Sequence, residues 1–152
     1  MNVSDPGRAF IKSFESYRSM PYQDEGGKPT VGWGHEIQPD EDFTNGITMG
    51  QADDLFIEDL AEKAEHPVTL AIQVSVSQQE FDAMCSLCYN IGAGNFDSST
   101  LVRLLNQGAT VDRIATEFGR WDHVNGQVSE GLSERRAAEA DIFLNGNYAD
   151  HA

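Results

Sequence analysis

The sequence predicts an α+β fold with a first helix, a small β-rich segment and a larger, all-helical remainder. Three observations predict it. Helix N-cap signals recur along the chain, turn residues interrupt segment 17–47, and apolar residues after position 77 recur at helical spacing. Of the 152 residues, 39% are apolar, which suffices for one domain with its own core.

We therefore expect a single domain over residues 1–152. A β-rich lobe (about 17–47) and a helical lobe (1–16 and 77–152) are expected to be joined by a connecting helix (48–76). Two lobes arranged in this way leave a cleft between them, which is a natural place for a binding site.

The first helix is predicted to start at Ser4, a residue that caps helices, with Pro6 in its first turn. Its apolar face holds Phe10, Ile11 and Phe14, and it is expected to run to about residue 16.

Segment 17–47 contains glycine, proline and an Asn-Gly pair at short intervals, with Val31 and Trp33 between them, and this pattern predicts a small β-hairpin region. The connecting helix is predicted to start at the capping box formed by Thr48 and Gln51. Pro67 is expected to bend or end it.

A second capping box, formed by Ser77 and Glu80, predicts a long helix that ends at Gly92. Shorter helices are expected over about 98–107 and 110–121, followed by a loop over 122–131. The last helix is expected to open at Ser133 and to end at Asn145-Gly146.

The chain is strongly acidic. It carries 25 acidic and 10 basic residues and a formal net charge of −15, and Lys63 is the only basic residue between positions 29 and 102. Phosphate binding needs clustered lysine and arginine, so nucleic acid and anionic membranes are unfavourable partners. No run approaches the ~20 apolar residues of a membrane span, and the first 14 residues lack the apolar region of a signal peptide.

Cys85 and Cys88 form a C-x-x-C pair, which in some proteins is a redox motif. A redox thiol is typically placed at an exposed helix N-terminus, whereas this pair falls two turns inside the helix capped by Ser77. We expect both cysteines to be buried as small apolar residues. A redox protein is the alternative reading.

Glu15, Asp24 and Thr30 are the residues in the first fifth of the chain that could carry chemistry. A carboxyl group with a raised pKa can act as a general acid, and a second carboxylate can activate a water molecule. A hydroxyl group can hold that water by a hydrogen bond. This spacing alone does not distinguish a catalytic set from ordinary surface residues.

The residues around this set raise its specificity. A Glu, eight residues, an Asp, five residues, a Thr and then Gly-x-Gly-His follow one another without a gap from Glu15 to His35. This pattern closely resembles the phage-type lysozymes, glycoside hydrolase family 24. The resemblance continues in order along nearly the whole chain, through Tyr89-Asn90-Ile91-Gly92, Phe96 to Leu105, Arg120-Trp121 and Gly131 to Arg136.

The resemblance implies a lysozyme-like fold and a muramidase that hydrolyses the β-1,4 bond between N-acetylmuramic acid and N-acetylglucosamine in bacterial peptidoglycan, with inversion. Glu15 would be the general acid, Asp24 would hold or activate the attacking water, and Thr30 would orient it. By alignment with the family, the residues that would line the sugar subsites are Glu36, Tyr89, Asn90 and Thr100.

The histidines show no metal-ligand spacing, and no metal or cofactor is expected. His35 is expected to be structural, hydrogen-bonded or ion-paired behind the hairpin. The resemblance implies a monomer that is made in the host cytoplasm without a signal peptide and reaches the wall through a holin-type release. Two further alternatives remain open: a non-catalytic cell-wall-binding protein on the same scaffold, and a lytic transglycosylase.

Overall fold

The computed structural model describes residues 1–149, and its first helix, α1 (Asp5–Lys12), is shorter than predicted. Ser4 caps it as expected, because its hydroxyl accepts the backbone N–H of Gly7 at 3.2 Å. The helix ends at Lys12 rather than near residue 16. The Ser13 hydroxyl donates to the Phe10 carbonyl at 2.6 Å, and such local bonds compete with helix continuation.

The predicted hairpin region is confirmed as an antiparallel sheet in the order β1 (Arg18–Gln23), β2 (Pro29–Gly32) and β3 (His35–Glu36). Its register pairs Thr30 with Tyr22 on one side and with Glu36 on the other. Because β2 is the central strand, the turns on either side of it carry Asp24 and Gly34.

The sheet is fixed to the rest of the protein through Trp33. A small core of Val31, Ile47 and Ala52 lies under the sheet, and Trp33 packs against both this core and the main core. The indole N–H of Trp33 donates to Asp53 Oδ1 at 2.9 Å, and the Lys12 ammonium donates to the same oxygen at 2.7 Å. One carboxylate therefore links the first helix, the sheet and the connecting helix.

The connecting segment begins at the predicted capping box and loses regular α-helical hydrogen bonding just before Pro67. Helix α2 (Met49–Leu60) continues into a π-helical turn (Ala61–Glu65) and then into α3 (His66–Ala71). Pro67 has no N–H to donate to the carbonyl four residues earlier, so regular α-helical bonding cannot continue through it. In the π-helical turn just before Pro67, the backbone instead forms hydrogen bonds to carbonyls five residues earlier.

The helical lobe is built around α4 (Gln78–Ile91), capped by Ser77 as predicted. Helix α8 (Glu130–Asn145) packs along it, and Phe81, Met84, Leu87, Ile142 and Phe143 lie in their shared core. The remaining elements of this lobe are α5 (Ala93–Asp97), α6 (Thr100–Asn106), α7 (Val111–Thr116) and a 3-10 turn (Glu117–Arg120).

Two sequence predictions in this lobe are wrong. The expected loop over 122–131 contains a hairpin of β4 (His123–Val124) and β5 (Gln127–Val128). Asn125 and Gly126 both have positive φ, as a type I′ turn requires. The last helix opens four residues early, because Ser129 rather than Ser133 accepts an N–H of its first turn, at 3.3 Å.

His35 joins the sheet to the connecting helix and is structural, as expected. Its Nδ1 lies 2.8 Å from Asp59 Oδ2, and its Nε2 lies 2.9 Å from Glu41 Oε1. Burial lowers the pKa of His35, but the hydrogen bonds and charges of Glu41 and Asp59 outweigh burial and raise it.

We expect His35→Asn to lower the free energy of unfolding by about 1–3 kcal/mol, because it removes charge-assisted bonds from a nearly buried group. Since folding raises the pKa of His35, this loss is fully present below the unfolded pKa of ~6.5 and disappears as pH rises through the folded pKa. Urea unfolding at pH 5.5 and pH 9 measures it. The exposed His66→Asn is the control, and an equal loss at both pH values would contradict this account.

Candidate active site

Glu15 lies just beyond α1, not within its last turn as predicted, and its backbone N–H donates to the Lys12 carbonyl at 3.0 Å. Its half-buried carboxyl group reaches the turn between β2 and β3. A Cβ at Gly34 would lie only 2.7 Å from Glu15 Oε2, and Gly34 has φ +83°. The glycine of the hairpin therefore provides both the turn and the space that this carboxyl group occupies.

Burial is the largest influence on Glu15 and raises the pKa of its carboxyl group, while the positive charges of Arg135 and Lys63 act against it. The net shift is upward, which is what a general acid needs near neutral pH. The Arg135 guanidinium lies 4.4 Å from the centroid of the Phe14 ring, and Phe14 is the residue that precedes Glu15 in the chain.

Arg135 is held in place from behind by a buried carboxylate. Glu139 is fully buried, and its Oε2 accepts Arg135 Nε at 3.3 Å and the Ser86 hydroxyl. Its other oxygen accepts Arg136 Nη1 at 2.8 Å. Two guanidinium groups thus balance one carboxylate that lies out of water, and Arg135 keeps a fixed position beside the site.

Asp24 follows β1 and lies in the turn before β2. Its Oδ1 accepts the backbone N–H groups of Gly26 at 2.9 Å and Lys28 at 2.8 Å. These bonds hold the carboxylate against its own backbone at an exposed position. One oxygen is therefore fixed, which orients the carboxylate as a whole.

Thr30 is 4% exposed on the central strand, and its hydroxyl donates to the Lys28 carbonyl at 3.0 Å. The hydroxyl oxygen can still accept a hydrogen bond. Within residues 1–149 no hydrogen bond joins Glu15 to Asp24 or Thr30. Glu15 instead approaches the hairpin at Gly34.

The four candidate substrate-binding residues do not line one common cavity. Burial, and after it the negative charge of Glu15, raises the pKa of the Tyr89 phenol. Its neighbour Asn90 accepts a hydrogen bond from Arg136 and lines a cavity of about 730 Å³ together with Trp121. Thr100 lines a neighbouring cavity of about 250 Å³.

Glu36 belongs to the sheet rather than to these cavities. It pairs with Thr30 across the strands, and its Oε2 lies 4.0 Å from the Lys28 ammonium. Both carboxylate and ammonium are largely open to water, so this ion pair adds little to stability.

Sequence reasoning did not assign a role to Arg135, Glu139 or Lys63. Arg135 stands inside a stretch that resembles the family, and Lys63 is the sole basic residue of the acidic stretch. Those two signals could have drawn attention to the arginine and the lysine. No local pattern distinguishes Glu139 from the other carboxylates of the last helix.

The predicted burial of Cys85 and Cys88 is confirmed, and both are free thiols. Burial raises the pKa of Cys88 to about 12, and it raises the pKa of Cys85 still further. Thiols of this kind are not nucleophiles at neutral pH, which disfavours the redox reading. The part of the chain that the structure describes contains no metal-binding cluster of His, Cys, Asp and Glu and no helix able to cross a membrane.

Comparison with protein families identifies the family of this chain. Residues 12–139 match the model of the family described as phage lysozyme. The chain belongs to the phage lysozyme family. The match includes the Glu15, Asp24 and Thr30 positions and extends to Glu139.

Phage lysozyme relatives cover the chain almost completely. The endolysin of Bacillus phage PZA is 38% identical over 96% of this chain, and the endolysin of Salmonella phage P22 is 33% identical over 95%. The chain spans only 56% of the Bacillus phage protein but 99% of the P22 protein.

Solved structures confirm the predicted lysozyme-like fold. The endolysin from Escherichia coli O157:H7 phage FAHEc1 superimposes with a TM-score of 0.85 at 35% identity. The superposition covers 97% of this chain and 96% of that one.

The contact between Gly34 and Glu15 can be tested by comparing two glycines that both have positive φ. Gly27→Ala introduces only backbone strain, because no atom lies within 4 Å of its Cβ position, and should cost about 1 kcal/mol of unfolding free energy. Gly34→Ala should cost about 0.5–1.5 kcal/mol more, because its Cβ meets the end of the flexible Glu15 side chain, which must leave its rotamer to give way. Urea unfolding measures both.

The double variant Gly34→Ala/Glu15→Ala is the matched control for this contact. Removing the carboxylate should return the cost of Gly34→Ala to the level of Gly27→Ala, measured against Glu15→Ala alone. A cost at position 34 that is unchanged by removing Glu15 would contradict the contact.

Proposed function

We propose that this protein is a muramidase that hydrolyses the β-1,4 bond between N-acetylmuramic acid and N-acetylglucosamine in bacterial peptidoglycan. The observation that carries the proposal is the half-buried Glu15, whose pKa is raised by burial and whose carboxylate lies against the glycine of the hairpin that bears Asp24 and Thr30. Membership of the phage lysozyme family and the endolysin names of the relatives support it.

Glu15 acts as the general acid in this proposal. Its protonated form donates to the glycosidic oxygen as the bond to the leaving sugar breaks, so the leaving group departs as an alcohol. Burial keeps the proton on Glu15 at higher pH than an exposed glutamate would allow, while the positive charge of Arg135 stabilises the carboxylate left after proton transfer.

Asp24 acts on the attacking water. Its carboxylate is oriented by the backbone N–H groups of Gly26 and Lys28, and it takes a proton from water as the oxygen attacks the anomeric carbon. Thr30 accepts a hydrogen bond from the same water through the oxygen of its hydroxyl group. Attack by water on the face opposite the leaving group inverts the anomeric centre, and no covalent intermediate forms.

Substrate binding uses residues around this centre. Tyr89 presents a half-buried ring beside Glu15, and the cavity at Asn90 and Trp121 is large enough for sugar rings. Thr100 extends the lining towards a second cavity, and Glu36 offers a carboxylate at the sheet edge. We propose that the protein works as a monomer without metal or cofactor and acts on the cell wall.

The general-acid role predicts that Glu15→Gln lowers the turnover of purified peptidoglycan about a hundredfold or more, because the amide cannot donate an acidic proton. The rate of the wild-type protein should fall as pH rises through the raised pKa of Glu15, since only the protonated form is active. The assay is release of reducing sugars across pH 5–9.

The exposed neighbour Glu25→Gln is the control for the loss of one carboxylate, and thermal unfolding verifies the fold of each variant. Undiminished turnover in Glu15→Gln would remove Glu15 from the reaction. A wild-type protein that binds peptidoglycan without cleaving it would instead favour a wall-binding protein.

Inversion predicts that the first product formed carries the α configuration at the new reducing end, because water attacks a β bond from the opposite face. Proton NMR of the anomeric signals during the first turnovers measures it. Retention of the β configuration would exclude the role of Asp24, and anhydro sugars in the product mass spectrum would indicate a lytic transglycosylase.

A further inference from the structure

Lys63 occupies an unusual position in the backbone, in the π-helical turn that joins α2 to α3. The His66 N–H donates to the Ala61 carbonyl, five residues earlier, as in a π-helix. Pro67 has no N–H for the Lys63 carbonyl, and the thiol of Cys88 approaches that carbonyl at 3.4 Å instead. Single π-helical turns of this kind are frequent at functional sites.

The side chain of Lys63 is exposed and extends towards Tyr89. Its ammonium lies 5.8 Å from the centroid of the Tyr89 ring. Its charge acts directly on the Glu15 carboxyl group from the connecting helix, as that of Arg135 does from α8. The π-helical turn therefore places an ammonium group near the Tyr89 ring, and from there its positive charge acts against the raised pKa of Glu15.

In the part of the chain that the structure describes, this ammonium has no carboxylate partner. Lys12 lies 2.7 Å from Asp53, and Lys28 lies 4.0 Å from Glu36, but within residues 1–149 no carboxylate oxygen comes within 4 Å of Lys63. The contrast is pronounced because the stretch from 29 to 102 holds thirteen acidic residues and Lys63 as its only basic one. An unpaired cation in an acidic protein is free to take an anion from outside.

We propose that Lys63 determines specificity by binding a carboxylate of the peptide stems that the peptidoglycan substrate carries on its muramic acid residues. This inference rests on the proposed function. A lysine ammonium is a compact charge with three donors, which suits a single carboxylate without demanding a fixed bidentate geometry. The contact holds the muramoyl side of the glycan beside Glu15 and offsets part of the repulsion between an acidic protein and an anionic wall.

The test removes the charge from the protein and from the substrate in turn. Lys63→Gln and Lys63→Arg are compared with wild type on native peptidoglycan and on the same material with its free carboxylates converted to amides. Arg113→Gln, which removes one positive charge from α7, is the matched control. Initial rates at several substrate concentrations and at low salt give KM and kcat separately.

On native peptidoglycan we expect Lys63→Gln to raise KM about three- to tenfold with kcat changed much less, and Lys63→Arg to stay close to wild type. On the amidated substrate wild type and Lys63→Gln should have the same KM, because the carboxylate partner is gone. Arg113→Gln should behave as wild type on both substrates.

Equal KM values for Lys63→Gln and wild type on native peptidoglycan would overturn the proposal, and so would an equal increase on both substrates. Cleavage of native peptidoglycan by the wild-type protein establishes the proposed function whatever the Lys63 variants do. A wild-type protein that cleaves neither substrate overturns the proposed function, and the role of Lys63 with it.

Discussion

The partial burial of one carboxyl group, that of Glu15, is the constraint on which the site depends. A buried carboxyl group prefers to be neutral, and the energetic cost of its ionisation is what makes it a usable acid. Several separate parts of the chain provide its surroundings: the end of α1 carries it, Gly34 leaves space for it, and Arg135 and Lys63 act on it from α8 and from the connecting helix. No element could create this environment alone.

The charges around Glu15 are arranged in an unusual way for so acidic a chain. Arg135 is fixed by the fully buried Glu139, which is itself balanced by Arg136 and bonded to Ser86. Buried charges of this kind are weak evidence for stability, because their desolvation offsets much of their attraction. Their clearer effect is geometric, since they fix a guanidinium group beside the site. Lys63 differs because its ammonium is exposed and unpaired within the described residues.

Side-chain hydrogen bonds fix the β-rich lobe to the connecting helix. The lobe's buried core consists of Val31, Ile47 and Ala52, with partly buried apolar side chains packed around them, and it is small for an independent unit. Trp33 and His35 supply the rest, because each extends from the hairpin to a carboxylate of the connecting helix. Thr30 lies on the central strand of the same sheet and Asp24 lies in the turn before that strand, so the bonds that hold the sheet also hold the residues proposed to activate water.

The sequence by itself determined the fold class, the order of the lobes and the helix starts at Ser4, Thr48 and Ser77, because caps, turns and apolar periodicity are local properties. The family signature also singled out Glu15, Asp24 and Thr30 as candidates. The hairpin at Asn125-Gly126 has an equally local signal and could have been found.

Only the tertiary structure decided the surroundings of those candidates. The end of α1 at Lys12 places Glu15 outside the helix, and Gly34, Arg135 and Lys63 come to it from distant positions in the chain. Burial and electrostatic fields depend on distances between segments far apart in sequence, and a local pattern does not contain those distances. The sequence therefore identified the candidate residues, and the fold determined the environment that gives Glu15 its raised pKa.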